Sequence, residues 1–247
     1  MANINLSKEI LENAQRAHYN APINPENGIN LVLMCSSGVD SIAATHYMMK
    51  KCHDSFFSNK IVFHVNHNLR EQNDKMEESV KSFCNEMNFE FVSTKVSGRE
   101  KRTEDECRDL RIDAIETMFR DSIVVTGHHL DDCVESYLLN CFRGNPSFLP
   151  MPFHTHLENS KNTIVRPFLF TSKRDFIQYA DRNNLMRFVV EDETNSITEG
   201  SRRNMIRNVI LPILREEAVG MPSVVKRFMD ERLSKVSVNF SKKLLVS

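Results

Sequence analysis

The sequence predicts an α/β protein: a doubly wound parallel sheet with a small helical C-terminal extension. Two observations carry this. Short apolar runs alternate with longer helical patterns, and the first run, "LVLMC", passes through Ser-Ser-Gly-Val-Asp-Ser straight into one of those patterns. "INLVLMC", "KIVFHV", "FEFVSTKV" and "DSIVVTG" read as strands, with helices near 41–52, 73–88, 104–120 and 131–143. The order βαβαβαβ implies a parallel sheet covered on both faces.

The remaining segments are less regular. Residues 7–18, "SKEILENAQRAH", read as a short amphipathic helix, and a Pro- and Asn-rich linker follows to Gly28. In the third helix Cys107, Leu110, Ala114 and Met118 fall within one narrow stripe, which places Arg108 and Arg111 on its flank and past the core edge. After Gly144, "NPSFLPMPFHTHLENSKN" fits neither period and reads as a functional or mobile loop. "TIVRPFLF", a helix near 172–183, the acidic stretch "EDETNSITEG" and the basic helix "SRRNMIRNVILPILREE" come next. A last helix near 222–235 carries Lys226, Arg227, Arg232 and Lys235.

Composition narrows the function class. At 247 residues and 40% hydrophobic, the chain can bury a sizeable core. A net charge of -1 leaves a nucleic-acid partner to be decided by local basic patches. The 6 cysteines form no CxxC pair, and the first residues lack the apolar core of a signal peptide, so a cytoplasmic protein is expected. Apolar runs such as 29–35 fall far short of the roughly 20 residues a membrane helix needs.

In an open parallel sheet the ligand crevice lies at the carboxyl ends of the strands. There Ser36, Ser37, Gly38 and Ser41 offer backbone N–H groups and hydroxyls at a helix N-terminus, a setting suited to phosphate. The pattern is not GxxxxGK[ST], and no lysine beside it is placed to reach a terminal phosphate. Asp40 makes sense beside phosphates as a holder of Mg²⁺. The plainer alternative is a helix cap with Ser and Asp in its first turn. Likewise His67, His128, His129, Asp131 and Asp132 have the ligand chemistry of a zinc or di-metal hydrolase. Arg108 has Glu104 in reach at i,i+4 on a solvated face.

Taken together, these segments resemble one family. Ser36–Ser41 resembles the SGGxDS signature of PP-loop ATP pyrophosphatases, with Ser37 in place of the first glycine. "HVNHNLR" (64–70) resembles the HVNHGLR element of the lysidine synthetase branch, with Asn68 for glycine. "TGHHLDDCVESYLLNCFRG" (126–144) resembles its TGHHxDDQxETxLLxLLRG, with Cys133 for glutamine and Ser136 for threonine. "EDECRDLRIDAI" resembles its ARxxRYxxL helix, where Arg108 and Arg111 match the arginines and Ile112 stands for tyrosine. "IVRPFLFTSKRDFIQYADRNNLMRFVVEDETN" and "RRNMIRNVILPIL" resemble its RPLLxLSRxEIxxYLxxxxLxWVEDPSN and YxRNRIRHxLLPxL. The series runs in order over roughly residues 29–216 and is similar to tRNA(Ile)-lysidine synthetases, in a short form without their usual C-terminal domains.

The resemblance implies an adenine nucleotide alpha hydrolase-like fold divided into an N-terminal helix and linker (1–28), a PP-loop domain (29–168) and a helical part with a short tail (169–247). It implies a carbon–nitrogen ligase that uses ATP and Mg²⁺ to adenylate the wobble cytidine of a CAU anticodon, then replaces AMP with free lysine. Ser36, Ser37, Gly38, Val39, Asp40, Ser41, His67, Gly127 and His128 would bind ATP. Asp40, Arg108, Arg111 and Asp132 would carry catalysis, Asp40 and Asp132 with the metal. His129, Asp131, Glu135, Arg143, Arg203 and Arg207 would face the RNA or lysine. Partners would be tRNA and lysine, with no membrane, and the reading admits a homodimer. A PP-loop enzyme of another RNA chemistry, such as thiolation, and a binding module that has lost catalysis are the alternatives.

Overall fold

The computed structural model describes residues 29–52, 57–97, 103–145, 151–191, 202–217, 220–229 and 231. The helix expected at 7–18, most of the acidic stretch and the end of the last helix lie outside them. Two compact units divide the chain, each drawn from two segments: one takes the described residues within Met1–His129 and Phe153–Asp192, the other those within Leu130–Pro152 and Glu193–Ser247. The sequence-derived division at 28/29 and 168/169 follows the motifs along the chain, whereas the compact units interleave.

The first unit holds one six-stranded sheet. Its strands are β1 (Asn30–Met34), β2 (Asn59–Asn66), β3 (Glu90–Lys95), β4 (Ser122–Val125), β5 (His154–Leu157) and β6 (Asn162–Val165), in the order β3-β2-β1-β4-β6-β5. All neighbours are parallel except β5, which runs antiparallel to β6. Helix α1 (Val39–Lys51) joins β1 to β2 and α2 (Glu71–Met87) joins β2 to β3, both stepping the same way across the sheet. The connection through α3 (Glu104–Met118) returns to the far side of β1. With right-handed crossovers this places α3 on the opposite face. The chain therefore reverses direction between β1 and β4, and the crevice of an open α/β sheet lies at that switch point.

The core shows both faces. Val32, Ile61, Phe63, Val65, Val124 and Ile164 point one way and pack with Ile115 and Phe119 at the end of α3. Alternation sends Leu31, Leu33, Val62, Ile123 and Val125, all buried, to the other face. Helix α3 departs from the expected stripe. Ile115 is its buried residue, while Met118 is 42% exposed. The helix ends at Met118, and Phe119 just beyond it takes the core position against Phe63 instead. A capping box between Thr103 and Glu106 starts this helix, with Thr103 Oγ1 accepting from Glu106 N–H and Glu106 Oε2 from Thr103 N–H.

The irregular loop also departs from expectation. Its described part contains β5, which forms a hairpin with β6 on the sheet edge. "HTHL" alternates exposed and half-buried, a period-2 pattern that its two histidines conceal from a reading based on apolar residues. The second unit contains α4 (Leu130–Phe142), α6 (Arg202–Met205) running through a π-helical turn (Ile206–Ile210) into α7 (Leu211–Glu217), and a last helix over 221–229. In the first unit α5 (Lys173–Arg182) follows β6 and is capped by Ser172. Among the described residues no helix is long and apolar enough to cross a membrane.

One buried side chain seats α3 on the sheet. Asn162 at the start of β6 is fully buried, accepts Ser122 N–H at 3.0 Å and donates to the Phe119 carbonyl at 2.8 Å. Asn162→Ala leaves those two backbone groups unsatisfied in the interior and is expected to cost about 2–4 kcal/mol. Urea unfolding of the variant against the parent checks this.

Candidate functional site

The switch point places the Ser36–Ser41 loop, the turn after β4 and the start of α5 in one unit. Cys35 N–H still pairs with the Phe63 carbonyl, so the strand hands over to the loop at Ser36. Ser37 then adopts φ +66°, left-handed backbone that a side chain disfavours by about 1–2 kcal/mol. Two hydrogen bonds hold it there: Ser37 Oγ donates to the Val190 carbonyl at 3.2 Å, and Val190 N–H donates to the Ser37 carbonyl at 3.1 Å. The serine hydroxyl thus ties down the conformation that its Cβ opposes. Gly38 has φ -66°, and a Cβ there would meet Ser36 Oγ at an ordinary 3.8 Å, so neither dihedral freedom nor packing calls for glycine at this position.

The loop closes on its own helix. Ser41 Oγ accepts Ser36 N–H at 3.0 Å and donates to the Gly38 carbonyl at 2.9 Å. Gly38 is the N-cap of α1 without a side-chain cap, which leaves first-turn N–H groups such as those of Val39 and Asp40 outside the intrahelical ladder. Such a helix start attracts an anion. Gly127 is required by proximity: a Cβ there would stand 3.1 Å from the Asp40 carbonyl oxygen and 3.3 Å from Ser41 Cα. The turn after β4 therefore rests directly on the first turn of α1.

Charge collects at Asp40. His129 Nε2 lies 3.4 Å and Lys173 Nζ 3.5 Å from Asp40 Oδ2. Asp40 Oδ1 is buried without a hydrogen-bond partner among the described residues. Lys173 is the residue that motif reading passes over. The loop has no lysine of its own, yet the first residue of α5, 133 positions away, delivers one. The signal was in "TSKRDF", where Lys173 aligns with the basic residue of the LSR element. His128 Nδ1 lies 2.8 Å from Thr126 Oγ1, and His129 packs its ring against Phe176. Cys35 hands its thiol to Ser41 Oγ, and burial pushes that thiol up despite hydrogen bonds around Ser37 and Ser41, which keeps it protonated and unreactive.

The loop after β2 carries His67, half-buried, next to Asn68 at φ +52°. On α3 Arg108 is exposed, whereas Arg111 is half-buried with Nε 3.4 Å from the Cys107 carbonyl. Among the described residues no three His, Cys, Asp or Glu side chains converge as a metal-binding group.

The second unit gathers the other named residues. Glu135, with a side chain 2% exposed, accepts Arg207 Nε and Nη2 on its two oxygens, both at 2.8 Å, and Arg203 Nε at 3.3 Å. Arg207 Nη2 also lies 3.8 Å from Asp132 Oδ1. The bidentate fork pairs a carboxylate that is almost fully buried. Asp131 lines a small cavity with Val134, Leu211, Leu214, Met221 and Pro222. Arg143 is exposed at the end of α4.

Comparison with known proteins gives this arrangement a family. The family model for the PP-loop domain matches residues 11–214. The chain belongs to the PP-loop family. Among its relatives is the tRNA(Ile)-lysidine synthase of Enterococcus faecalis, 28% identical over 207 residues, a match covering 82% of this chain and 44% of that one. The tRNA(Ile)-lysidine synthase of Buchnera aphidicola subsp. Schizaphis graminum is 32% identical over 187 residues, covering 73% and 40%. The chain thus spans less than half the length of these curated relatives. Among solved structures, the U34-tRNA thiolase NcsA from Methanococcus maripaludis shares the PP-loop fold with a TM-score of 0.61 at 15% identity, over 91% of this chain and 78% of that one.

The Ser37 geometry yields a paired expectation. Ser37→Ala keeps the left-handed penalty, loses the bond to the Val190 carbonyl and should be less stable by about 1 kcal/mol. Ser37→Gly loses the same bond but sheds the penalty, and should lie within about 0.5 kcal/mol of the parent once the extra freedom of the unfolded chain is included. Urea midpoints of the two variants check the ordering.

Proposed function

We propose that the chain is a tRNA(Ile)-lysidine synthetase. In this reaction the C2 oxygen of the wobble cytidine of a CAU anticodon attacks the α-phosphorus of ATP and pyrophosphate leaves. The ε-amine of free lysine then displaces AMP, losing a proton. Adenylation is the chemical necessity, because a carbonyl oxygen is a poor leaving group until it is esterified. The observation that carries the reading is the Ser36–Ser41 loop at the head of α1, with Asp40 and Lys173 beside it, in a chain whose named relatives are tRNA(Ile)-lysidine synthases.

In this reading the Ser36–Ser41 loop cradles the pyrophosphate, through first-turn N–H groups such as those of Val39 and Asp40 rather than Ser36 N–H, which Ser41 Oγ accepts, and Lys173 moves its charge onto it. His67, Gly127 and His128 line the nucleotide. Arg111, with Arg108, stabilises charge developing at the α-phosphate. Asp40 Oδ1, a buried carboxylate oxygen with no protein partner among the described residues, suits a hard cation such as Mg²⁺. When bound, that ion would neutralise phosphate charge; Asp132, in the second unit, is proposed separately as a metal-binding carboxylate. His129 of the first unit, and Asp131, Arg143, Arg203 and Arg207 of the second, are proposed for the RNA and lysine, with Glu135 acting through the two arginines it holds and an acid accepting the proton released by the amine. Burial pushes the Cys35 thiol up, which disfavours the thiolate that sulfur transfer would need.

Incubation with ATP, Mg²⁺, radiolabelled lysine and an unmodified tRNA(Ile) transcript bearing CAU should place label in the RNA and release pyrophosphate. Asp40→Ala and Arg111→Ala should each lower AMP formation by at least about 100-fold, the scale of a lost charge-stabilising group, while their circular dichroism stays that of the parent. Pyrophosphate release without lysine incorporation would reassign the acceptor. Retained turnover in either variant would remove these residues from the proposed mechanism.

A further inference from the structure

The loop that carries His67 is held by side-chain amides rather than by the strand ladder. Asn66, the last residue of β2, is fully buried, and its amide is used at both ends. Its Nδ2 donates to Asp74 Oδ1 at 2.8 Å and to Glu77 Oε2 at 2.7 Å, and its Oδ1 accepts Asn68 N–H at 2.8 Å. The amide orientation is forced, because two carboxylates need donors and a backbone N–H needs an acceptor. Beyond it, Asn73 Oδ1 accepts the N–H groups of Leu69 and Arg70, both at 3.0 Å. The backbone donors of residues 68, 69 and 70 are thus all accounted for by asparagine side chains of β2 and α2.

The two acids under Asn66 are fixed in their turn. Glu77 Oε1 accepts Ser93 Oγ from β3, and Asp74 Oδ1 accepts Lys95 Nζ, each at 2.5 Å. Burial pushes the Glu77 carboxyl up, but hydrogen bonds from Ser93 and Asn66, with His64 and Lys95 nearby, outweigh it and hold Glu77 below the usual carboxylate range. On the same strand His64 donates from Nδ1 to the Cys35 carbonyl at 2.8 Å, which joins the end of β2 to the start of the Ser36–Ser41 loop. An amide is the side chain of this size that supplies two N–H donors and one acceptor at once. A carboxylate at position 66 would meet two others.

We propose that Asn66 is a positioning residue: it fixes the left-handed turn at Asn68 and thereby sets His67 for the nucleotide. This rests on the reading of His67 as part of an ATP site. If Asn66 acts through His67, removing both should cost no more than removing His67 alone.

The experiment measures ATP affinity by calorimetry for the parent, His67→Ala, Asn66→Ala and the double variant, each at a temperature where melting curves show it folded. His67→Ala and Asn66→Ala should each weaken ATP by about 10-fold, the worth of one hydrogen bond to a charged group, and the double variant should match His67→Ala. Losses that multiply, or an Asn66→Ala variant that binds like the parent, overturn the proposal while leaving the ATP site standing. A parent that binds no ATP, or a His67→Ala variant that binds as well as the parent, overturns the underlying reading instead. Asn66→Asp gives a second readout if the alanine variant does not fold. Facing Asp74 and Glu77, with Lys95 and His64 as the neighbouring bases, its carboxyl is neutral at low pH and donates one bond. Its ATP affinity should fall as pH rises through a range where the parent's is flat, and a flat profile for the folded variant overturns the proposal.

Discussion

The site depends on a single backbone constraint: the chain must leave a central strand with a buried middle and enter a helix within a few residues, and it does so by a left-handed step at Ser37. That step lets the hydroxyl of Ser41 fold back onto Ser36 N–H and turns the open end of α1 toward the crevice. It also explains the tolerance limits around it. A methyl group at Gly127 would be tight, 3.1 Å from the Asp40 carbonyl oxygen, because the turn after β4 presses on the backbone of the same helical turn. The Val190 segment supplies the two hydrogen bonds that keep Ser37 in place, and that segment is itself fastened to α2, where Ser79 Oγ donates to the Phe188 carbonyl at 2.6 Å and Gln72 Nε2 to the Glu191 carbonyl at 2.8 Å. A distant stretch of chain therefore bears on the loop, contributing its backbone N–H and carbonyl groups to these contacts.

Charge is handled differently in the two compact units. In the first, Asp40 keeps one oxygen without a protein partner among the described residues while a histidine and a lysine stand 3.4 and 3.5 Å from the other, distances longer than a tight ion pair. Loose contacts of this kind rearrange cheaply when a ligand brings its own charge. In the second, Glu135 is gripped bidentately and almost fully buried. Withdrawing Arg207 from it would leave that buried carboxylate with the longer Arg203 contact at 3.3 Å and without its bidentate partner, a loss of about 3 kcal/mol or more. Any ligand that engages Arg207 must therefore add to the pair rather than replace it.

The order of the first four strands and of the helices between them was legible because each of those strands is a short apolar run and each crossover a longer helical pattern. The strand ends were legible because small and polar residues cluster there. The edge strand β5 was hidden, since "HTHL" places its alternation on histidines and a threonine. The α3 stripe pointed to Met118, but the helix stops there and Phe119 fills the core site from outside the helical period. Lys173 was hidden for a different reason. Its partner Asp40 lies far off in sequence, so only the return of the chain through β6 reveals the pair. The compact units were hidden likewise, as each combines segments that the sequence separates.

The positions where the sequence departs from the family pattern bear on whether the site is merely a binding module. Ser37 and Asn68 both replace glycine, and both keep the left-handed backbone that glycine would adopt freely, at φ +66° and +52°. Each adds a side-chain hydrogen bond that offsets the strain, Ser37 to the Val190 carbonyl and Asn68 to the Val96 carbonyl at 3.3 Å. Asparagine is also the side chain that tolerates this region best after glycine. Cys133 is fully buried in α4, so its exchange for a larger polar residue alters packing within the second unit. The loop path is thus preserved while the chemistry-bearing groups Asp40, Arg108 and Arg111 keep the residue types of the family pattern. Substitutions that conserve a costly backbone conformation and leave the charges in place favour a working site over a decayed one.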